Sequence, residues 1–232
     1  MALEVIIVGA GIAGLTAATS IRRAGHNVRI YERSSFNNEI GAAIHVPPNA
    51  SRALLAWGLN PEGARFVTVK SSFRANAKTL ERVHVGTTES EVPTKYGSPW
   101  YFAHRVDLHE ELKRLATEEN GQGKPAEVNL RSEVVKYDAE TPSITLANGE
   151  TVHGDVVIIA DGIHSLGVEV MTGKSNPLEP SRNAYNFCYR FLISTNDIEN
   201  DPETRFWNEG DDGRMKLFVG NMKRLVSYPC RK

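Results

Sequence analysis

"EVIIVGAGIAGLTAATSIRRAGHNVRIYER", residues 4–33, decides the fold of this 232-residue chain. It opens in "LEVIIV" (3–8), a continuous apolar run of the kind expected in a strand covered on both faces. "IAGLTAATSIRRAG" (12–25) then places small and apolar residues at helical spacing and stops at Gly25, a helix-ending residue. "NVRIYE" (27–32) is a second strand that finishes on an acid. After the first strand come Gly9, Gly11 and Gly14, the last of them in the opening turn of the helix. The first permits a tight turn, the second lets backbone approach a pyrophosphate, and the third lets helix pack on strand with its N-terminal N–H groups facing the anion. Glu32 lies 18 residues after Gly14, where a carboxylate can accept hydrogen bonds from a ribose diol. An acid there disfavours NADP at this site, because a 2′-phosphate would meet like charge. It does not separate NAD from FAD. Arg33 follows and joins the candidate cofactor-binding set, although an arginine there is by itself most often surface charge.

The pattern continues outward on both sides of an interruption. "PPNASRALLAWGL" (47–59) predicts a helix opened by proline and Asn49 and stopped at Gly58. From Arg65 to Tyr101 the texture alternates apolar with polar, in "RFVTVKSSFRA", "KTLERVHVG" and "PWYFAH", as half-exposed antiparallel strands do. "RVDLHEELKRLATEEN" (105–120) returns to helical period. "EVNLRSEVVKYDAE" and "SITLANGETVHG" read as strands with a hairpin turn at "ANGE" (147–150), and "DVVIIA" (155–160) as a further buried parallel strand. "DGIHSLGVEVMTG" (161–173) is a turn into a short helix. "KSNPLEPSRN" reads as a linker, "YNFCYRFLIS" and "KLFVGNMKRLVSYPCRK" as strands, and the acidic stretch between them as loop.

The fold class expected is α/β: a Rossmann-like dinucleotide-binding core over 1–64 and 103–173, with an inserted and appended, mainly antiparallel β domain over 65–102 and 178–232. A net charge of −1 offers no electrostatic case for nucleic acid or an anionic membrane. Cys188 and Cys230 are too few for a disulfide framework, so a reducing compartment such as the cytoplasm is expected. No run of about 20 apolar residues marks a membrane span, and the N-terminus has no basic region of a signal peptide. No residue is assigned to a metal.

Four motifs in order, "VGAGIAGLTAA…YER", "EIGAAIHVPPNASRALLAWGL", "HRVDLHEEL" and "GDVVIIADGIHS", resemble the single-component FAD-dependent aromatic hydroxylases, the group A flavin monooxygenases, with the salicylate hydroxylase-like branch closest. The final third is similar to fungal members of that branch. The resemblance implies FAD as cofactor and NAD(P)H as co-substrate, with O₂ and a small phenolic ring as partners. It implies a ribose contact at Glu32, a backbone approach to the flavin at Ala43, an FAD contact at Arg105, and a second fingerprint at Asp161–Gly162. Asp161 alone would read as the N-cap of a strand-to-helix turn. Arg190 in "CYRFLI" and Tyr228 in "VSYPCR" match an arginine and a tyrosine that hold the substrate as phenolate in fungal relatives. A cation lowers a phenol's pKa and a tyrosine hydroxyl can orient it. His45, Trp57, Trp100 and His164 are expected to be structural.

The chain also departs from that family. Family members are longer and carry a later "GD…P" motif, which nothing after Asp161 matches, so a C-terminally truncated chain with an incomplete sheet is expected, prone to self-association. Two other readings stay open: a flavin- or nucleotide-binding pseudoenzyme, and a fragment that needs a partner chain. An NAD-dependent dehydrogenase is a weaker alternative, since nothing supplies its acid–base groups. There is no second GxGxxG, which disfavours two-dinucleotide disulfide reductases.

Overall fold

A computed structural model describes residues 1–36, 41–174, 187–210 and 213–232. Most of the expected linker (175–183) lies outside the described residues, as do Tyr185 and Asn186 of "YNFCYRFLIS" and the acids 211–212. The chain divides into two units, Met1–Glu39 with His109–Cys188, and Ile40–Leu108 with Tyr189–Lys232.

The first unit is built on a four-stranded parallel sheet in the order Val156–Ile159, Glu4–Val8, Asn27–Glu32, Glu127–Leu130. Its central strands carry the apolar runs noted above: Ile6, Ile7 and Ile30 are fully buried. The helix Ile12–Arg23 connects the first two strands and buries Leu15, Ala18 and Thr19. It stops where expected. Gly25 takes the left-handed conformation (φ +90°) that a side chain would resist, and its N–H bonds the Arg22 carbonyl. A three-stranded antiparallel sheet, Thr151–His153, Ser143–Leu146, Val134–Asp138, contains the expected hairpin, with Gly149 at φ +89°. Tyr137, Ile144, Leu146 and Val152 from this sheet share one core with Ile6, Val8 and Tyr31 of the parallel sheet.

One expectation here needs correction. "DVVIIA" forms a parallel strand, Val156–Ile159, but not a buried one. It pairs only with Glu4–Val8 among the described residues and lies at the sheet edge, leaving Val156 exposed and the rest half-buried. An apolar run reports burial on both faces, not the number of neighbours along the hydrogen-bonding direction.

The second unit holds two sheets. Tyr101–His104 is flanked antiparallel by Ala43–Val46 and Val67–Thr68. The other sheet runs Arg224–Ser227, Arg214–Val219, Ser71–Asn76, Arg82–Thr88, with one parallel pair, Arg214–Val219 on Ser71–Asn76. Segments 43–64 and 103–108 fall in this unit, where Ala43 pairs with His104 and Val46 with Tyr101. The helix Pro48–Ala56 starts at the predicted proline. A short helix, Glu91–Tyr96, closed by Gly97 at φ +71°, interrupts a region read as strands only.

The last third corrects a second expectation. Residues 187–194 of "YNFCYRFLIS" form no strand; Phe187, Tyr189 and Phe191 are 84%, 90% and 70% exposed. A strand exists only by pairing, and apolar alternation does not provide a partner. The region expected as loop contains the helix Thr195–Asn200 and a 3₁₀ turn, Arg205–Trp207. "KLFVGNMKRLVS" does form two antiparallel strands.

Candidate functional site

The first unit brings most of the expected cofactor residues together. A Cβ at Gly9 would run into the Ala160 carbonyl oxygen, and one at Gly14 into the Gly9 carbonyl oxygen, so these glycines serve close packing. Gly11 differs: a Cβ there would meet nothing within 4 Å. Gly11 is also the N-cap of the helix Ile12–Arg23, which has no side-chain cap and no acid in its first turn. Open space at a helix N-terminus with uncapped N–H donors suits a phosphate group. The arrangement therefore fits the pyrophosphate of a dinucleotide such as FAD.

Glu32, at the end of the second strand, reaches this loop. Its Oε2 accepts the Ala10 N–H at 2.8 Å and its Oε1 the Ser34 N–H at 2.8 Å. Each carboxylate oxygen keeps further acceptor capacity for a ribose hydroxyl. Arg33 beside it is exposed. The expected second fingerprint abuts the first, since a Cβ at Gly9 would also crowd Asp161 Cα. Gly162 needs its glycine identity, at φ +85°. Asp161 Oδ2 accepts from the Tyr137 hydroxyl at 2.9 Å and from the Leu166 N–H at 3.1 Å. His164 is exposed in the turn that follows.

The second unit contains the remaining candidates. The Arg105 N–H donates to the Ala42 carbonyl at 2.9 Å, which joins the Ala43 loop to the start of the helix Arg105–Thr117. A cation at this end opposes the helix dipole, and Asp107, in the first turn, compensates it. Asp107 is buried and gathers two further arginines: Arg65 at 2.6 Å, and Arg231 through two bonds of 2.7 Å. Burial raises its pKa, but the bonds from Arg231 and then Arg65 outweigh this and hold it below the usual carboxylate range. Arg231 also donates to His104 Nδ1 at 3.1 Å. Burial, and then the charge of Arg231, hold the His104 pKa down, so its ring is neutral at neutral pH.

Tyr228 is half-buried in an aromatic group. Its ring lies 4.5 Å from His45 edge-on and 4.7 Å from Phe102, and Trp100 stands 5.4 Å from His45. Burial lowers the His45 pKa. Arg190 lies in the exposed irregular segment 187–194, not on a strand.

Motif reading missed Asp107, Arg65 and Arg231, the pair Tyr137–Asp161, and His109, a buried residue whose Nε2 lies 2.7 Å from the Ala10 carbonyl. Asp107 and His109 lie within the quoted "HRVDLHEEL", so the segment was identified but not these roles.

A family model described as pyridine nucleotide-disulphide oxidoreductase matches residues 3–202. The chain belongs to that family. It is 49% identical over 234 residues to the FAD-dependent monooxygenase cfoG of Aspergillus candidus, covering 99% of this chain and 53% of that protein. It is 36% identical to hispidin-3-hydroxylase of Neonothopanus nambi, over 99% of this chain and 56% of that protein. The fold is shared with Klebsiella pneumoniae HpxO, solved with FAD and uric acid: TM-score 0.71, 21% identity, 98% of this chain and 53% of that one. The similarity to FAD-dependent monooxygenases expected from the four motifs is borne out. The chain spans about half the length of the curated relatives it matches. Among the described residues no helix is long and apolar enough to cross a membrane.

Proposed function

We propose that this chain binds FAD and serves the hydroxylation of a phenolic or other aromatic small molecule with NAD(P)H and O₂. The observation that carries the reading is the open space at Gly11, at an uncapped helix N-terminus, beside the Glu32 carboxylate. Gly9, Gly11 and Gly14 would shape the loop that takes the pyrophosphate at Gly11, and Glu32 would take the adenosine ribose, with Arg33 beside it. Ala43, Arg105 and the Asp161–Gly162 turn complete the proposed cofactor contacts. Names of relatives support the chemistry: cfoG is an FAD-dependent monooxygenase and the Neonothopanus nambi protein a hispidin hydroxylase. Bound FAD supplies electron transfer from NAD(P)H and activation of O₂. The chain's own part is to hold and activate the ring. Arg190 would favour the phenolate by its charge, and Tyr228, steadied by His45 and Phe102, would orient it. We place the protein in a reducing compartment such as the cytoplasm, from its two cysteines.

A second reading, a chain that binds flavin without turnover, is favoured by the exposed position of Arg190, which lies on no strand. Self-association through the exposed strand Arg224–Ser227 and the apolar segment around Tyr189 belongs with it. One experiment separates the readings. The purified chain is examined for a flavin absorption spectrum, reconstituted with FAD if colourless, and assayed for NAD(P)H oxidation with and without simple phenols. Phenol-stimulated oxidation supports the monooxygenase. A yellow protein that never oxidises NAD(P)H supports the second reading, and a protein that cannot take up FAD overturns both.

A further inference from the structure

We infer that His109 is a positioning residue that holds the glycine-rich loop in its nucleotide-binding shape, by gripping the loop peptide opposite to the one Glu32 grips. Ala10 lies between Gly9 and Gly11 and is fully buried. Both its backbone groups therefore need partners inside the protein. Its N–H goes to Glu32 Oε2 at 2.8 Å and its carbonyl faces His109 Nε2 at 2.7 Å. A carbonyl oxygen can only accept, so Nε2 carries the proton. The grip is itself packed: Phe36 stands edge-on to the His109 ring at 5.0 Å, and Lys113, one turn along the same helix, lies over Phe36.

The two clamps fix both peptide planes that meet at Ala10. Those planes orient the Gly11 segment, the part of the loop that faces open space. Without the His109 bond the buried carbonyl loses its donor, and loop conformations that turn it toward water become competitive. Apparent affinity then falls by the fraction of molecules that keep the competent loop. This inference rests on the proposal that the loop binds a dinucleotide, but loop order can be read without any ligand.

The test compares the full chain with His109→Phe, which keeps an aromatic ring against Phe36 but has no donor, and His109→Gln, whose amide can still donate to Ala10. FAD binding is measured by flavin fluorescence, and local order by amide hydrogen exchange of the peptide covering residues 9–15 in the ligand-free chain. Expected are an FAD Kd about tenfold higher in the Phe variant, faster exchange in that peptide alone, and recovery of both in the Gln variant. Wild-type affinity and exchange in His109→Phe would overturn the inference. Equal losses in Phe and Gln variants would also overturn it, because the donor would then be irrelevant. If His109→Phe does not fold, the Gln variant decides: loop exchange and affinity near wild type support the clamp, and loss of either sinks it. A wild-type chain that takes up no FAD overturns the function proposed above, and the exchange comparison then decides the clamp by itself.

Discussion

Tyr137 donates its hydroxyl to Asp161 Oδ2 at 2.9 Å and so ties the antiparallel strand Val134–Asp138 to the turn after Val156–Ile159. The tyrosine is buried, and the same carboxylate oxygen receives the Leu166 N–H. This bond reaches across 24 residues of sequence and holds the second fingerprint against the first.

Replacing Tyr137 by Phe should therefore lower stability by about 1.5–3 kcal/mol, the range for a hydrogen bond to a charged acceptor. Urea denaturation measures it. The pH dependence carries a second signature. Burial, and then Asp161, push the phenol's pKa above its ordinary value, so the folded state holds this proton more tightly than the unfolded chain. Its contribution is whole below about pH 10, the unfolded value, and is lost as pH rises beyond it. Tyr31 and Tyr101 are raised by burial as well. The alkaline loss of stability should thus become shallower in Tyr137→Phe without vanishing.

Gly11→Ala separates binding from folding. The new methyl group meets nothing in the protein, and Gly11 has an ordinary φ of −73°. Thermal stability should stay within about 1 kcal/mol of wild type, while FAD affinity falls about tenfold or more as the methyl occupies the pyrophosphate's approach. Gly14→Ala should instead fail to fold well, because its methyl would collide with the Gly9 carbonyl. Unchanged FAD binding in Gly11→Ala would contradict the assigned cradle.

Asp107 should dominate acid sensitivity of the second unit. Its folded pKa lies below the unfolded value of about 3.9. Its contribution is therefore complete above that value and lost as pH falls through the folded one. His104, with its pKa lowered, adds a loss that starts below about pH 6.5, the unfolded histidine value. Asp107→Asn should cost about 2 kcal/mol at neutral pH, toward the low side for a broken buried pair, because Arg65 and Arg231 are partly exposed. Circular dichroism melts from pH 3 to 8, a range set by those two about-neutral and acidic transitions, should show a flatter acid limb in the variant.

Arg22 is fully buried and its guanidinium donates to the carbonyls of Leu115, Glu118 and Gly123 at 2.8–3.0 Å. The first of these belongs to the last turn of the helix Arg105–Thr117, so this side chain serves orphan carbonyls that a helix end leaves behind. Arg22→Met keeps bulk and removes the donors. It should destabilise the chain by about 3 kcal/mol or more, read as a lower denaturant midpoint, and exchange at residues 115–123 should accelerate first.

Much of the fold was legible because its signals are local. Apolar runs, helical spacing and Gly25 marked the strand–helix–strand of residues 4–32, and the structure has those elements at those places. Legibility failed where a partner decides the outcome. "FCYRFLIS" has the alternation of a strand, yet it joins no sheet among the described residues. "DVVIIA" is apolar enough for a central strand but lies at an edge. Arg231 meets Asp107 across 124 positions, a distance at which no spacing rule operates.

By itself, then, the sequence determined that Gly9, Gly11, Gly14 and Glu32 lie in one strand–turn–helix–strand motif, because the turn, the helix start and the strand end are all set by neighbours in the chain. Only the tertiary structure decided how that motif is held. The Ala10 carbonyl meets a histidine 99 residues away and Asp161 meets Tyr137, since a buried polar group must be satisfied by whatever folding brings within about 3 Å.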